Sequence, residues 1–342
     1  MIPQSVHLSR REALRSFGLL GAAALITPSL LRASSAAAPS SGKPAASGAS
    51  LAGQQPGYYR IRIGAFEGVV LNDGGAAFPI GAAWPSAQAE RVRGVLESAY
   101  LPKDEVRLPF DVLLVKVGSE LVLIDTGCGD AFGPAGGRLL GNMAAAGIKP
   151  EQVTMVILTH AHGDHHGGLV DANKQPVFRN ARHFINRAEH DFWMGNNPDL
   201  SAQLIDENTR KQFIQGAQAA LGAMKGKWEF IKPGDKLLDG MEVLDAPGHT
   251  PGHIALLFSS GSEQLLHFVD TAHHSEVSFS RPEEVFFGDA QPQVAIATRR
   301  RLLDRAAADK LRVLGAHLPF PSLGHVRSQD GRYEFKPEAW VV

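Results

Sequence analysis

Apolar and polar positions alternate in short blocks along most of this chain, and the blocks predict its elements. "YYRIRIGAFEGVVLND" carries β-rich runs that stop at Gly, Asn or Asp, as strands do before tight turns. "FDVLLVKVGSELVLIDTG" reads as a hairpin, two apolar strands around a "VGSE" turn. "GRLLGNMAAAGIKPEQV" is helical in composition, with Gly147 and Pro150 as stop signals, and "VTMVILTH" comes next as a buried strand. A helical middle is expected over Arg187–Lys225. Strands resume at "MEVLDA", "HIALLFSS" and "QLLHFVD". "PQVAIATRRRLLDRAAAD" reads as a helix, and "LRVLGAH" as the last long strand. Strand blocks with helices interspersed, twice over, predict an α+β fold of two packed sheets with helices outside.

The N-terminal region breaks this rhythm. Arg10-Arg11 precede an apolar run from about Phe17 to Leu31 and then small residues, the layout of a twin-arginine-type signal peptide over residues 1–38. The run is too short, and too interrupted by Gly and Pro28, for a membrane span. Such a signal implies a periplasmic or secreted protein. Residues 39–55 are a flexible Pro/Gly/Ser/Ala linker, which leaves residues 56–342 as the working domain. A formal net charge of -1 provides no basic field for nucleic acid. The single cysteine, Cys128, excludes a disulfide framework and a four-cysteine zinc site, so any metal must be held by histidine and carboxylate.

That possibility is pressing, because four of the 14 histidines fall between His160 and His166. In "THAHGDHHGG", His160 and His162 lie two apart and project to the same side of an extended or turning segment. Asp164 and His165 come next, on a Gly-containing turn. Two pairs this close but differently directed suit two neighbouring ions, with further ligands from elsewhere. His249, Asp270 and His317 each sit where a predicted strand gives way to a loop, so one end of the sheets would gather them all.

The ordered motifs "HAHGDH", "GHTPGH", "FVD" and "AHLP" resemble the metallo-β-lactamase superfamily, an αββα sandwich with a binuclear metal site at one sheet edge. The resemblance implies one ion held by His160, His162 and His249, another by Asp164, His165 and His317, and Asp270 bridging them. Asp125 in "LIDTG" matches the family's aspartate that hydrogen-bonds beside the ligands. Within the superfamily, "PGYYRIRIGAFE", "FGPAGGRL", "AAGIKPEQV", "DFW" and "AHLPFPSLGHVR" are similar to the methyl parathion hydrolase group of exported organophosphate hydrolases. Gly163 stands where that group has proline. This closer likeness implies Phe132, Trp193 and Phe213 as aromatic rings at the pocket mouth, and a homodimer.

The chemistry expected is hydrolysis with two divalent ions, zinc by preference. Water between two ions loses a proton near neutral pH, giving a bridging hydroxide nucleophile that Asp164 would orient, later carrying its proton. The bond attacked would be ester-like: an organophosphate triester such as methyl parathion, an aryl ester or a lactone. A quorum-quenching-type lactonase is the alternative native activity. A mononuclear iron persulfide dioxygenase would dispense with the second ligand set, which is complete here, and many zinc β-lactamases have cysteine where this chain has Asp270. A metal-binding module without catalysis is disfavoured by the complete set. Among the other histidines, His166 reads as a turn residue, His253 and His325 as packing or supporting hydrogen bonds, and His273 and His274 as a solvated loop. Cys128 reads as a small core residue.

Overall fold

The computed structural model describes residues 57–339, so the expected signal peptide and linker lie outside the described residues. The chain starts with strands β1 (Tyr58–Ile63) and β2 (Phe66–Pro79), a helical turn α1 (Ile80–Ala83) and helix α2 (Ser86–Ser98). Strands β3 (Glu105–Val117) and β4 (Glu120–Ile124) form the expected hairpin, with helix α3 (Leu139–Ala145) before strand β5 (Met155–Leu158). A short helix α4 (Gly163–His166), strand β6 (Arg182–Asn186), helices α5 (Arg187–Met194) and α6 (Glu207–Ala223) and strand β7 (Trp228–Ile231) complete the first half. The second half runs through β8 (Lys236–Leu238), β9 (Met241–Asp245), β10 (Ile254–Ser260) and β11 (Glu263–Val269) to α7 (Val277–Ser280) and α8 (Pro292–Ala308). Strands β12 (Arg312–Gly315), β13 (Leu323–Gln329) and β14 (Arg332–Pro337) end it. The strand over "LRVLGAH" is therefore short and not the last: a longer antiparallel hairpin comes after it.

Two seven-stranded sheets result, ordered β1 to β7 and β14 to β8. Period-2 alternation sorts the side chains of the inner strands between two apolar layers. On β3, Leu113, Val115 and Val117 join Ile254, Leu256 and Phe258 of β10 in the core between the sheets. Their neighbours Val112 and Leu114 pack outward against Leu139 and Met143 of α3. Ala255 and Leu257 of β10 face Leu302, Leu303 and Ala306 of α8 on the opposite outside. Both faces of each sheet are thus covered, which is why these strands read as near-continuous apolar runs. The layers are helix, sheet, sheet, helix.

Strand direction places the chemistry. β4, β5 and β6 are mutually parallel, so their carboxyl ends lie together. In the second sheet β11 and β12 are parallel, and β9 runs the same way as β11 because both are antiparallel to β10. The segments after β4, β5, β9, β11 and β12 carry Asp125, the histidine cluster, His249, Asp270 and His317. Among the described residues, no helix is long and apolar enough to cross a membrane.

Candidate metal centre

β5 is buried along its whole length and delivers Thr159 and His160 into the interior. Asp125, at the end of β4, anchors both this segment and the turn beyond it. Its Oδ1 accepts from the Thr159 amide and its Oδ2 from the Thr159 hydroxyl, both at 2.8 Å. The same Oδ2 lies 2.8 Å from His165 Nδ1, which turns Nε2 of that ring toward the interior of the site. His317 is oriented alike, its Nδ1 lying 2.8 Å from the Pro109 carbonyl. His249 Nδ1 lies 3.0 Å from Asp289, a buried carboxylate that also meets the Arg299 guanidinium at 3.3 Å.

The free edges of these rings converge on Asp270. Its Oδ2 lies 3.2 Å from His249 Nε2, 3.0 Å from His317 Nε2 and 3.7 Å from His160 Nε2, while Oδ1 is 3.3 Å from His165 Nε2. His162 Nδ1 approaches His249 Nε2 to 2.8 Å, and Asp164 Oδ2 lies 3.4 Å from His317 and 3.5 Å from His165. Donor atoms within 4.8 Å of one another define the sets His160, His162, His249 and Asp164, His165, His317, with Asp270 joining His160 and His165 between them. The structure thus brings together all seven side chains singled out in the sequence.

The donors suit divalent cations. Nε2 of His160, His162 and His165 and Oδ1 of Asp270 are buried without a hydrogen-bond partner, a combination that costs stability unless something else satisfies them. Burial, and then the neighbouring imidazoles, hold His160 and His162 well below the usual histidine range, so their lone pairs are available. Burial disfavours charge on Asp270, but His317, His165 and His160 outweigh it and keep the carboxyl well below its ordinary value. His249 is pushed up to about 9, because Asp270 and Asp289 overcome the opposing effect of burial. A buried carboxylate core ringed by imidazoles calls for cationic company. His/Asp donor sets for two divalent ions are therefore part of this chain.

The aromatic expectations divide. Phe132 is half-buried and packs at 4.8 Å on Phe110, whose ring lies 5.9 Å from that of His317. Phe213 is half-buried 5.5 Å from the His162 ring. Trp193, expected at the mouth, is instead wholly buried behind His162, with its indole Nε1 donating to Glu189 at 2.7 Å. Its position on the inward face of α5 makes it a core residue. His273 and His274, expected on a solvated loop, are both buried. His273 stacks on Phe286 at 3.9 Å and brings Nε2 to 3.2 Å from His249 Nδ1. His253 packs as expected, 2.7 Å from the Ala246 carbonyl and accepting from the Asp270 amide at 3.3 Å. His325 is exposed, whereas His166 is buried rather than a simple turn residue. Cys128 is a core residue whose thiol donates to Asp73 at 2.8 Å and is pushed upward by burial.

Sequence reasoning missed Glu189 and Asp289. Glu189 lies three positions after Asn186 at the start of α5, and Asn186 does cap the helix by accepting from the Ala188 amide. The spacing mimics an ordinary capping pair, which conceals a carboxylate turned into the interior. Nothing local marks Asp289, whose partners come from elsewhere in the chain.

Residues 108–317, more than half the chain, match the model of the metallo-beta-lactamase superfamily. The chain belongs to this superfamily. Its relatives include an N-acyl homoserine lactonase of Bacillus cereus, 23% identical over 68% of this chain and 90% of that one. A probable metallo-hydrolase of Mycobacterium tuberculosis is 28% identical over 57% of this chain and 67% of that one. Among solved structures, AidC, a dizinc quorum-quenching lactonase in complex with a product, is 31% identical with a TM-score of 0.81, covering 84% of this chain and 99% of that one. The hydrolase AbOPH is 28% identical with a TM-score of 0.77, covering 85% of this chain and all of that one. The superfamily member is a metallo-hydrolase, and lactonases among these relatives draw the finer comparison away from the methyl parathion hydrolase group.

Proposed function

We propose that this protein is a binuclear lactonase whose substrates include N-acyl homoserine lactones. The observation that carries the hydrolytic reading is Asp270 standing between two complete donor sets. The substrate class rests on the similarity to a dizinc lactonase over nearly the whole of that enzyme. His160, His162 and His249 would hold one ion, Asp164, His165 and His317 the other, and Asp270 both. Two divalent ions bound there, zinc by the donor types, supply Lewis acidity and an activated water.

The remaining work falls to the chain. Asp125, Asp289 and the Pro109 carbonyl fix the ring orientations of His165, His249 and His317 and so hold the donors in place before substrate arrives. Asp164 is the least buried of the donor residues and lies 3.4 Å from His317 and 3.5 Å from His165; in this reading its carboxylate would orient the attacking water and accept its proton. Phe132 and Phe213 flank the donors as half-buried apolar rings, a surface for an acyl chain. A lactone differs from an aryl ester in needing a proton on its alkoxide leaving oxygen, and the carboxylate that took a proton from water can return it.

A panel assay of zinc-loaded protein tests the reading. N-hexanoyl homoserine lactone should give kcat/KM at least about tenfold above an aryl phosphotriester, an aryl ester and a penicillin, a gap of roughly 1.4 kcal/mol in transition-state stabilisation. A phosphotriester turned over faster than the lactone would return the organophosphate reading. A single iron per chain would remove the binuclear hydrolase altogether.

A further inference from the structure

We propose that Glu189 is the positioning residue of the three-histidine metal position, tying the segment that carries His160 and His162 to the loop that carries His249. The inference rests on the binuclear reading above and concerns one of its two halves.

Glu189 is fully buried, and its two oxygens accept four hydrogen bonds. Oε1 takes the amide of Ala161, the residue between His160 and His162, at 2.9 Å and Trp193 Nε1 at 2.7 Å. Oε2 takes the Thr250 hydroxyl at 2.7 Å and the Gly252 amide at 3.0 Å, both from the loop just after His249. Asn186, the cap of the same helix, adds a donation from Nδ2 to the Gly252 carbonyl at 2.7 Å. Gly252 lies so close that a Cβ there would come within 2.1 Å of the Glu189 amide nitrogen. The His249 loop therefore rests directly on the first turn of α5, and one carboxylate reaches both histidine-bearing segments.

Four converging donors require a group that only accepts. A glutamine would turn its NH2 toward two of them. The Thr250 hydroxyl can rotate to accept, but a backbone amide such as Gly252 cannot. The other metal position lacks this support. Its His165 is held by Asp125, which comes from a different strand end. Asp125 also braces the His160 segment through Thr159, whereas the donor-bearing segments that Glu189 bonds to, at Ala161, Thr250 and Gly252, flank the three-histidine position, so its loss should loosen one ion and spare the other.

The test strips the purified protein of metal and titrates it with Co2+, following the visible d–d absorption, with ions counted after dialysis against dilute chelator. The wild type should bind two ions per chain. Glu189→Gln should weaken one of them about 10- to 100-fold, the usual cost of losing a partner behind a metal ligand, and leave the other within about twofold. Thr250→Val removes a single hydrogen bond at nearly constant volume and should weaken the same ion by a smaller factor. That variant decides the matter if Glu189→Gln does not fold. Two ions at wild-type affinity in the folded variants, or equal loosening of both, would overturn the positioning role. A wild type that binds fewer than two ions would instead overturn the binuclear reading.

Discussion

Trp193 shows how a side chain beside the metal centre can serve packing rather than recognition. Its ring is wholly buried, meets His162 edge-on and spends its N–H on Glu189. Trp193→Ala should cost about 3–5 kcal/mol, as large-to-small changes at buried aromatics do. Since the ring lies behind the donors, the variant should lower kcat/KM for a lactone and for an aryl ester by similar factors. Urea unfolding with parallel kinetics checks both statements. A selective rise in KM for aryl substrates would put Trp193 back in the pocket. At this scale the seven donors were legible because they are histidines and aspartates at predicted strand ends. Glu189 was not, because its role depends on Ala161, Thr250 and Gly252, residues without chemistry of their own.

Elements buried on both faces advertised themselves in the sequence. β3 and β10 alternate between two apolar layers, so the stretches Val112–Val115 and Ile254–Phe258 are apolar throughout and the runs are plain. The β13–β14 hairpin was missed because it lies at the sheet edge, where its outer residues are polar and exposed. Its "DG" turn was the available signal. β6, flanked by β5 and β7, shows a cost of burial. His183 on this strand is buried, with Nε2 unpaired and its ring edge-on to Trp228, and burial pushes its pKa down to about 4. The unfolded chain takes up this proton near the ordinary histidine value of 6.5, the folded chain only near 4, so stability falls as pH drops through that window. His183→Phe keeps a ring against Trp228 and removes the proton. Urea midpoints should therefore decline less for the variant than for the parent between pH 6.5 and pH 4. Identical slopes would clear His183 of this role.

Across the whole molecule, the metal centre lies where the two sheets bring their strand ends together, and its donors span His160 to His317. Ions that bind only the folded chain add their binding free energy to its stability, about 2.7 kcal/mol for each site at a free concentration one hundred times Kd. Chelation should accordingly lower the melting temperature, and restoring zinc should recover it; a melting curve indifferent to chelator would contradict this. The same span sets an order in time. A chain emerging from synthesis has His160 and His162 long before His249, and the second donor set stays open until β12 has paired and His317 has arrived. Neither ion has a complete seat on any N-terminal fragment that stops short of its last donor. Occupancy thus registers progress, since full loading marks a chain synthesised through His317 and folded as far as the pairing of β12.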